Sequence, residues 1–133
     1  MPERRHIHSG SKFEDLVGYC RAVVTPDPGG DWIFVSGTTG YDYATGVISP
    51  DPIEQTRQCF RNIQWALHEA GGGLEDIVRV RVFVASRAVF EQVAPTIGEL
   101  CRPFRPTNTT VVSELIVPEM LIEIEVTARR EPA

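Results

Sequence analysis

Two glutamates near the C-terminus lie in the segment Leu121–Thr127, in which apolar and polar residues alternate. Strict alternation predicts a strand with its isoleucines on one face and Glu123 and Glu125 on the other. A carboxylate on the face away from the core can act as a general base or orient a water molecule. The alternative is a solvated edge, or an ion pair with Arg79 or Arg81 on a neighbouring strand.

Three further polar residues, Tyr19, Ser36 and Asn108, each stand at the start or end of a predicted strand. Polar groups at strand ends can line the mouth of a cleft. They also serve as turn residues and as hydrogen-bonded strand ends. The spacing by itself leaves both roles open.

The remaining reactive residue types form no recognisable constellation. His6 and His8 share one face of an extended segment, but no third ligand is apparent, so no metal site is predicted. Cys20, Cys59 and Cys101 are too few and too scattered for a disulfide framework or a zinc clip. The sequence contains no nucleotide-binding loop and no hydrolase nucleophile motif.

Composition limits the partners. A chain of 133 residues with 42% hydrophobic residues can bury a core without disulfides, so we expect a single domain over residues 1–133. The net charge of −5 argues against nucleic acid, and Arg57 and Arg61, one helical turn apart, are typical of a solvated helix face. No apolar run approaches the ~20 residues of a membrane span. The N-terminus lacks a secretory core, so we expect a cytoplasmic protein without a membrane partner.

Hydrophobic periodicity predicts two helices and five strands in the order β-β-α-β-α-β-β, an α+β arrangement. Asp51, with Glu54 closing a capping box, is the expected N-cap of the first helix, and Ser86 is that of the second. Residues 1–15 are polar and are predicted to form an N-terminal arm. The predicted strands are Cys20–Val24, Trp32–Val35, Ile77–Val84, Thr107–Val112 and Leu121–Thr127.

The apolar faces outnumber the elements available to cover them. Alternate valines in Ile77–Val84, beginning at Val78, need cover on one face, and the run Trp32–Val35 needs cover on both. Two amphipathic helices cover only one face of a sheet. Exposed apolar patches usually mark an interface, so the pattern predicts a homo-oligomer.

Several short segments, taken together in order and spacing, resemble the RidA family of small trimeric proteins, also called YjgF or L-PSP. The resemblance runs from Tyr19 to Arg129. It implies a chorismate-mutase-like α+β fold, with two helices on one face of a single mixed sheet. It also implies a homotrimer with a central β-barrel, small-molecule clefts between subunits, and no cofactor. The segments are Gly18–Val23, Ile33–Gly37, Thr45–Gly46, Gln55–Gln58 with Asn62–Ile63, Pro106–Val111 and Ile122–Glu125.

The resemblance also implies roles for individual residues. Characterised relatives hydrolyse reactive enamines and imines to 2-oxo acids and ammonia. Glu123 matches the glutamate that positions the attacking water, and Tyr19, Ser36 and Thr110 match substrate-binding positions. The family arginine that holds the substrate carboxylate falls at Asn108 in this chain.

This departure at Asn108 puts the family's best-known reaction in doubt. A neutral amide cannot replace a forked cation, and losing a charge-assisted hydrogen bond costs about 1.5–3 kcal/mol, or tenfold to hundredfold in binding. Either Arg102 or Arg105 reaches the cleft instead, or the ligand has no carboxylate and Asn108 binds a carbonyl or amide. The strand direction favours the second explanation.

Two functions of different classes therefore stay open. One is a hydrolase or deaminase acting on an imine, an enamine or a related labile nitrogen compound. The other is a non-catalytic module that binds or senses a small metabolite in the same cleft. Endoribonuclease activity, attributed to some relatives, is disfavoured by the acidic charge.

Overall fold

One six-stranded sheet organises the chain, and the structure, a computed structural model, describes residues 3–132. The strands are β1 (Arg5–Ile7), β2 (Ala22–Thr25), β3 (Asp31–Thr38), β4 (Ile77–Val84), β5 (Thr107–Val112) and β6 (Ile122–Arg130). The helices are α1 (Lys12–Val17), α2 (Pro52–Glu69) and α3 (Arg87–Cys101), and a short 3-10 turn spans Leu74–Asp76.

The sheet is mixed, with the strand order β1-β2-β3-β6-β4-β5. Among the described strands, β4 and β5 are the one parallel pair, and α3 makes the crossover between them. Helices α2 and α3 pack on one face, α2 against β3 and β6 and α3 against β4. This arrangement confirms the predicted single mixed sheet with two helices on one face. No helix in the described part of the chain is both long and apolar enough to cross a membrane.

The two principal helices begin where the sequence predicts. The Asp51 side chain accepts a hydrogen bond from the amide of Ile53, and the Ser86 side chain accepts one from Val89. The predicted capping box is wrong, because Glu54 turns outward and pairs with Arg61 at 2.6 Å. The Arg61 guanidinium, about two helical turns further along α2, therefore replaces the backbone amide as partner of this exposed carboxylate.

The valine stripe of β4 departs from prediction at its first member. The three later valines are buried, but Val78 is 44% exposed. The pairing of β4 with β6 shifts register between Ile77 and Arg79, so Ile77 enters the core instead. A bulge of this kind interrupts the two-residue period, and periodicity alone gave no signal for it.

The polar N-terminal segment also differs from the predicted arm over residues 1–15. Residues 5–7 form β1 at the sheet edge beside β2, and Ser11 caps the short helix α1 by accepting from the amide of Phe13. Residues 1 and 2 lie outside the described residues. A three-residue edge strand and a six-residue helix are too short for periodicity to distinguish them from an irregular segment.

The face of the sheet opposite the helices is open in the single chain. Phe34, Val78 and Val111 are each more than two-fifths exposed there. A shallow depression of about 530 Å³ on this face is lined by Trp32, Phe34, Val78, Arg79, Thr107 and Thr127. The excess of apolar surface that predicted an oligomer is therefore present, and the oligomer itself stays a prediction.

Candidate functional site

Strand β6 carries Glu123 on the open face of the sheet, because Ile122 and Ile124 on either side of it are fully buried. The two glutamates of this face differ. Glu125 pairs with Arg81 at 3.1 Å, whereas the Glu123 carboxylate forms no ion pair within residues 3–132. Burial raises the pKa of Glu123, the positive charge of Arg21 opposes that rise, and Glu125 adds to it. A half-buried carboxylate with a raised pKa is a stronger base than an ordinary one.

Glu123 lies in a cavity of about 750 Å³, within the range of small-molecule sites. Tyr19, Arg21 and Gly37 also line this cavity. Gly37 lies in β3, and Tyr19 and Arg21 lie just before β2. Most other lining residues are supplied by α1 and two loops: Ser11, Lys12, Phe13, Val17, Thr39, Tyr41, Asp42, Tyr43, Gly46, Ile116, Val117 and Met120.

Arg21 and Glu14 form a buried ion pair beside the cavity, and sequence reasoning missed both. They are 4% and 3% exposed, and Arg21 Nε lies 3.4 Å from a Glu14 oxygen. Arg21 Nη1 also donates to the carbonyl of Gly37 at 2.8 Å and to Thr38 Oγ1 at 3.0 Å. The guanidinium is therefore fixed at the end of β3, and its charge is largely offset by Glu14.

A signal for this pair was present but weak. Arg21 is the one charged residue in the predicted strand Cys20–Val24. A charge inside such a run is either at an edge or paired in the interior. Its partner Glu14 lies in the segment predicted to form an arm, and the sequence pattern does not indicate that this segment contacts Arg21.

Gly37 matters because the carboxylate of Glu123 rests against it. A Cβ atom at Gly37 would stand 2.9 Å from Glu123 Cδ and closer still to one carboxylate oxygen. The backbone there needs no left-handed conformation, so an alanine is accommodated by the chain but not by Glu123. Glycine at this position therefore makes room for the carboxylate.

We expect Gly37→Ala to lower any activity that depends on Glu123 by about a hundredfold, because a displacement near 1 Å misplaces the reacting group. The free energy of unfolding should change by less than about 1 kcal/mol, since the side chain can move into the cavity. Activity and urea denaturation measure the two effects. Gly98→Ala on α3, where the added Cβ meets only the end of Arg102, is the matched control. Equal activity of both variants would contradict the expectation.

The pH dependence of stability should also report on Glu123. Its folded pKa lies above the ordinary 4.5, so the folded chain keeps the proton longer than the unfolded chain as pH rises. This contribution to stability is complete below the unfolded pKa and is lost as pH rises through the folded pKa. Relative to wild type, Glu123→Gln should therefore gain free energy of unfolding as pH rises from below 4.5 until Glu123 is fully ionised, measured by urea titration at each pH. A difference that does not change with pH would contradict this.

Of the candidate residues Tyr19 and Ser36, one lines the cavity and the other does not. Tyr19 lines it, and its ring lies 5.7 Å from the guanidinium carbon of Arg21. Ser36 does not line it: its hydroxyl donates to the carbonyl of Cys20 at 2.6 Å and ties β3 to the start of β2. The neighbouring Gly37 lines the cavity instead.

Asn108 and Thr110 lie on β5, away from Glu123. Asn108 is aligned with the buried Val80 of β4, whereas Glu123 is aligned with Phe83, so the two residues belong to opposite faces of the sheet. The amide oxygen of Asn108 accepts from the Thr110 hydroxyl at 2.8 Å, and both lie outside the cavity. Within one chain the structure does not bring them together with Glu123.

Arg102 and Arg105 are the two arginines that could replace the missing cation at position 108, in the less favoured of the two explanations given above. Neither is among the residues that line the cavity within residues 3–132. The arginine that does line it is Arg21. Its charge, however, is already engaged by Glu14.

Cys20, Cys101, Arg57 and Arg61 make contacts typical of a structural role. The Cys20 thiol donates to the carbonyl of Ala22, and burial raises its pKa. Burial also raises the pKa of Cys101 to about 11, so both thiols stay protonated at neutral pH. Arg57 pairs with Glu99, and Arg61 with Glu54, which leaves no free basic patch at this point of α2.

No cluster of three potential metal ligands occurs within the described range, and His6 and His8 belong to none. The closest carboxylate contact of His8 is its Nδ1 atom at 3.8 Å from Glu14. Glu14 also accepts from the amide and hydroxyl of Ser9. The contact therefore belongs to the network that holds α1 against Arg21.

Fold and site together define a class of small α+β proteins, in which two helices cover one face of a mixed sheet and a carboxylate of the other face lines a cavity. Comparisons with known proteins agree with this fold. A family model described as Endoribonuclease L-PSP matches residues 10–130. The crystal structure of Rv2704 from Mycobacterium tuberculosis, described as a member of the YjgF/YER057c/UK114 family, superposes with a TM-score of 0.83 at 36% identity, covering 96% of this chain and 99% of that one.

Two sequence relatives extend the comparison. An uncharacterised protein of Streptomyces coelicolor is 35% identical over 127 residues, which cover 95% of this chain and 92% of that protein. A RutC family protein of Pyrococcus abyssi is 32% identical over 103 residues, covering 77% and 81% of the two chains. The chain belongs to the RidA family, also known as the YjgF or L-PSP family.

Proposed function

We propose that the chain binds a small imine, enamine or related labile nitrogen compound in its Glu123 cavity and hydrolyses it. The observation that carries this proposal is Glu123 itself: half-buried, free of an ion pair within the described chain, and facing a cavity of ligand size. An imine carbon is already electrophilic, so a positioned water and a base are the main requirements.

The reaction balances without a cofactor. Glu123 accepts a proton from water as the water oxygen bonds to the imine carbon and the second electron pair of the C–N double bond moves to nitrogen. Glu123 returns that proton to the nitrogen, which gives a carbinolamine. Glu123 then transfers the carbinolamine hydroxyl proton to the nitrogen as the C–N bond breaks, ammonia leaves and the carbon–oxygen double bond forms. Tyr19 would close the cavity beside the substrate.

We further propose that the working cleft forms between copies of the chain in a homotrimer. Asn108 and Thr110 are placed on the opposite sheet face from Glu123, so one site containing all three needs residues from two copies. The exposed apolar residues of the open face, Phe34 among them, supply surface for such contacts. Ser36 would act through the strand end that it holds, since its hydroxyl is engaged by Cys20.

Phe34→Glu tests the assembly, because a charge buried at a subunit interface is strongly unfavourable. Wild type should sediment as a trimer at micromolar concentration, and the variant as a monomer with its helical circular dichroism retained. The exposed Ile53→Glu on α2 is the matched control and should remain a trimer. A monomeric wild-type protein would overturn the shared cleft.

A non-catalytic metabolite-binding module is the second candidate, and Asn108 favours it. Without an arginine at that position, hydrolysis of 2-imino acids loses its carboxylate clamp, so a family member of this kind can retain binding and lack the family reaction. RNA cleavage is less favoured, although the matching family model carries the name endoribonuclease. The arginines on α2 are paired with glutamates, and the net charge is −5.

Ammonia release separates the two candidates. Imines would be generated in situ from amino acids and from amines that lack a carboxylate, with and without the purified protein. Faster release with the protein supports hydrolysis. Thermal stabilisation by the corresponding ketones without faster release supports the binding module.

A further inference from the structure

We infer that the natural ligand is an uncharged imine or ketone bearing a bulky apolar group, not a small carboxylate-bearing compound. This inference rests on the proposed function for its choice of cavity. It adds the substrate class, which neither Glu123 nor family membership specifies.

The walls of the cavity supply the first argument. Its sheet side carries Glu123, Arg21 and Gly37, which suit a polar head group. The side formed by α1 and the loops is largely apolar, with Phe13, Val17, Tyr41, Tyr43, Ile116, Val117 and Met120. About 750 Å³ is far more than a three-carbon imine fills, so an apolar body should occupy the side away from the sheet.

The charges supply the second argument. The cavity is lined by Lys12, Arg21, Asp42 and Glu123, and the charge of Arg21 is offset by its buried contact with Glu14. The remaining charged groups that line the cavity are one cation, Lys12, and two carboxylates, Asp42 and Glu123. An anionic ligand would meet net negative charge here, and Asn108 of a neighbouring copy would add only a neutral amide.

A two-by-two set of stable ketones tests both arguments with the full-length protein. Acetone and phenylacetone are neutral, pyruvate and phenylpyruvate are anionic, and within each pair only the apolar ring differs. Binding would be measured by calorimetry, with ligand-observed NMR for weak binders. Phenylacetone should bind about tenfold or more tightly than acetone, because the ring buries apolar surface, and also more tightly than phenylpyruvate. A ring that adds nothing, or an acid that binds as well as its neutral counterpart, would overturn the inference.

A cavity-filling variant locates the effect. Val117→Trp should weaken phenylacetone about tenfold and leave acetone unchanged, because the new side chain occupies the space assigned to the ring. Ile53→Trp, an equally large change on the exposed side of α2, should alter neither affinity. Equal weakening of both ketones, or no weakening, would contradict the assignment.

The same set distinguishes this inference from the proposed hydrolysis. If the binding pattern holds but the imine of phenylacetone releases ammonia no faster with the protein, hydrolysis fails and the ligand class stands. If imines of small amino acids are hydrolysed faster than the neutral bulky imine, hydrolysis stands and the ligand class fails.

Discussion

Asn108→Arg should raise kcat/KM for 2-imino acids by about tenfold to hundredfold over the wild-type chain. A guanidinium at this position can form a forked, charge-assisted pair with the substrate carboxylate, worth about 1.5–3 kcal/mol relative to the neutral amide. Asn108 lies exposed on edge strand β5, and within residues 3–132 its side chain is hydrogen-bonded to Thr110 alone, so the longer arginine has room to extend. Ammonia release from imines of alanine and leucine measures the gain.

The gain should depend on the substrate carboxylate. Imines of the matching amines, which carry no carboxylate, should show no improvement, and Asn108→Gln should leave both substrate types near the wild-type rate. An arginine that accelerates both types equally would act by some means other than carboxylate binding. No change for either type would show that position 108 does not reach the substrate.

Glu123→Gln should lower the rate of imine hydrolysis by about a hundredfold to ten-thousandfold. The glutamine keeps the size and hydrogen-bonding shape of the side chain but cannot accept a proton from water, and general-base catalysis contributes an effect of this size. Ligand affinity should change far less than the rate, because the amide still fills the space beside Gly37. The rate of ammonia release and calorimetric titration with phenylacetone measure the two quantities.

Glu125→Gln is the matched control for this prediction. Glu125 lies two residues along the same strand and the same face, yet its carboxylate pairs with Arg81 rather than facing the cavity. Its loss should cost less than about 1 kcal/mol of stability, as for an exposed ion pair. The rate should change far less than in Glu123→Gln, because Glu125 acts on the pKa of Glu123 through its charge and does not face the cavity. If Glu123→Gln retained full activity, Glu123 would not be the base, and the proposed reaction would lose its central group.

Glu123 and Glu125 have the same place in the alternating sequence pattern but lie in different chemical environments. Alternation alone put Glu123 and Glu125 on the same face, with an ion pair to a neighbouring strand as the simpler explanation for both. That explanation holds for Glu125 and not for Glu123. The difference arises because β6 lies between β3 and β4: Arg81 of β4 is aligned with Glu125, whereas Gly37, near the end of β3, leaves room for Glu123.

The sequence by itself determined the local features of this protein. Side-chain period and capping chemistry act within a few residues, so β4, the caps at Asp51 and Ser86, and the two faces of β6 follow from the chain directly. The order of short motifs likewise indicated the family before any fold was known. None of these conclusions requires knowledge of which strands are neighbours.

Only the tertiary structure decided what surrounds Glu123. The pairing of Arg21 with Glu14, the register shift that exposes Val78, and the separation of Asn108 from Glu123 all depend on contacts between segments distant in sequence or on strand register. A one-residue change in register moves a side chain to the other face, and periodicity does not specify which residue of one strand opposes which residue of the next. The chemistry of the cavity was therefore set by strand register and by long-range packing.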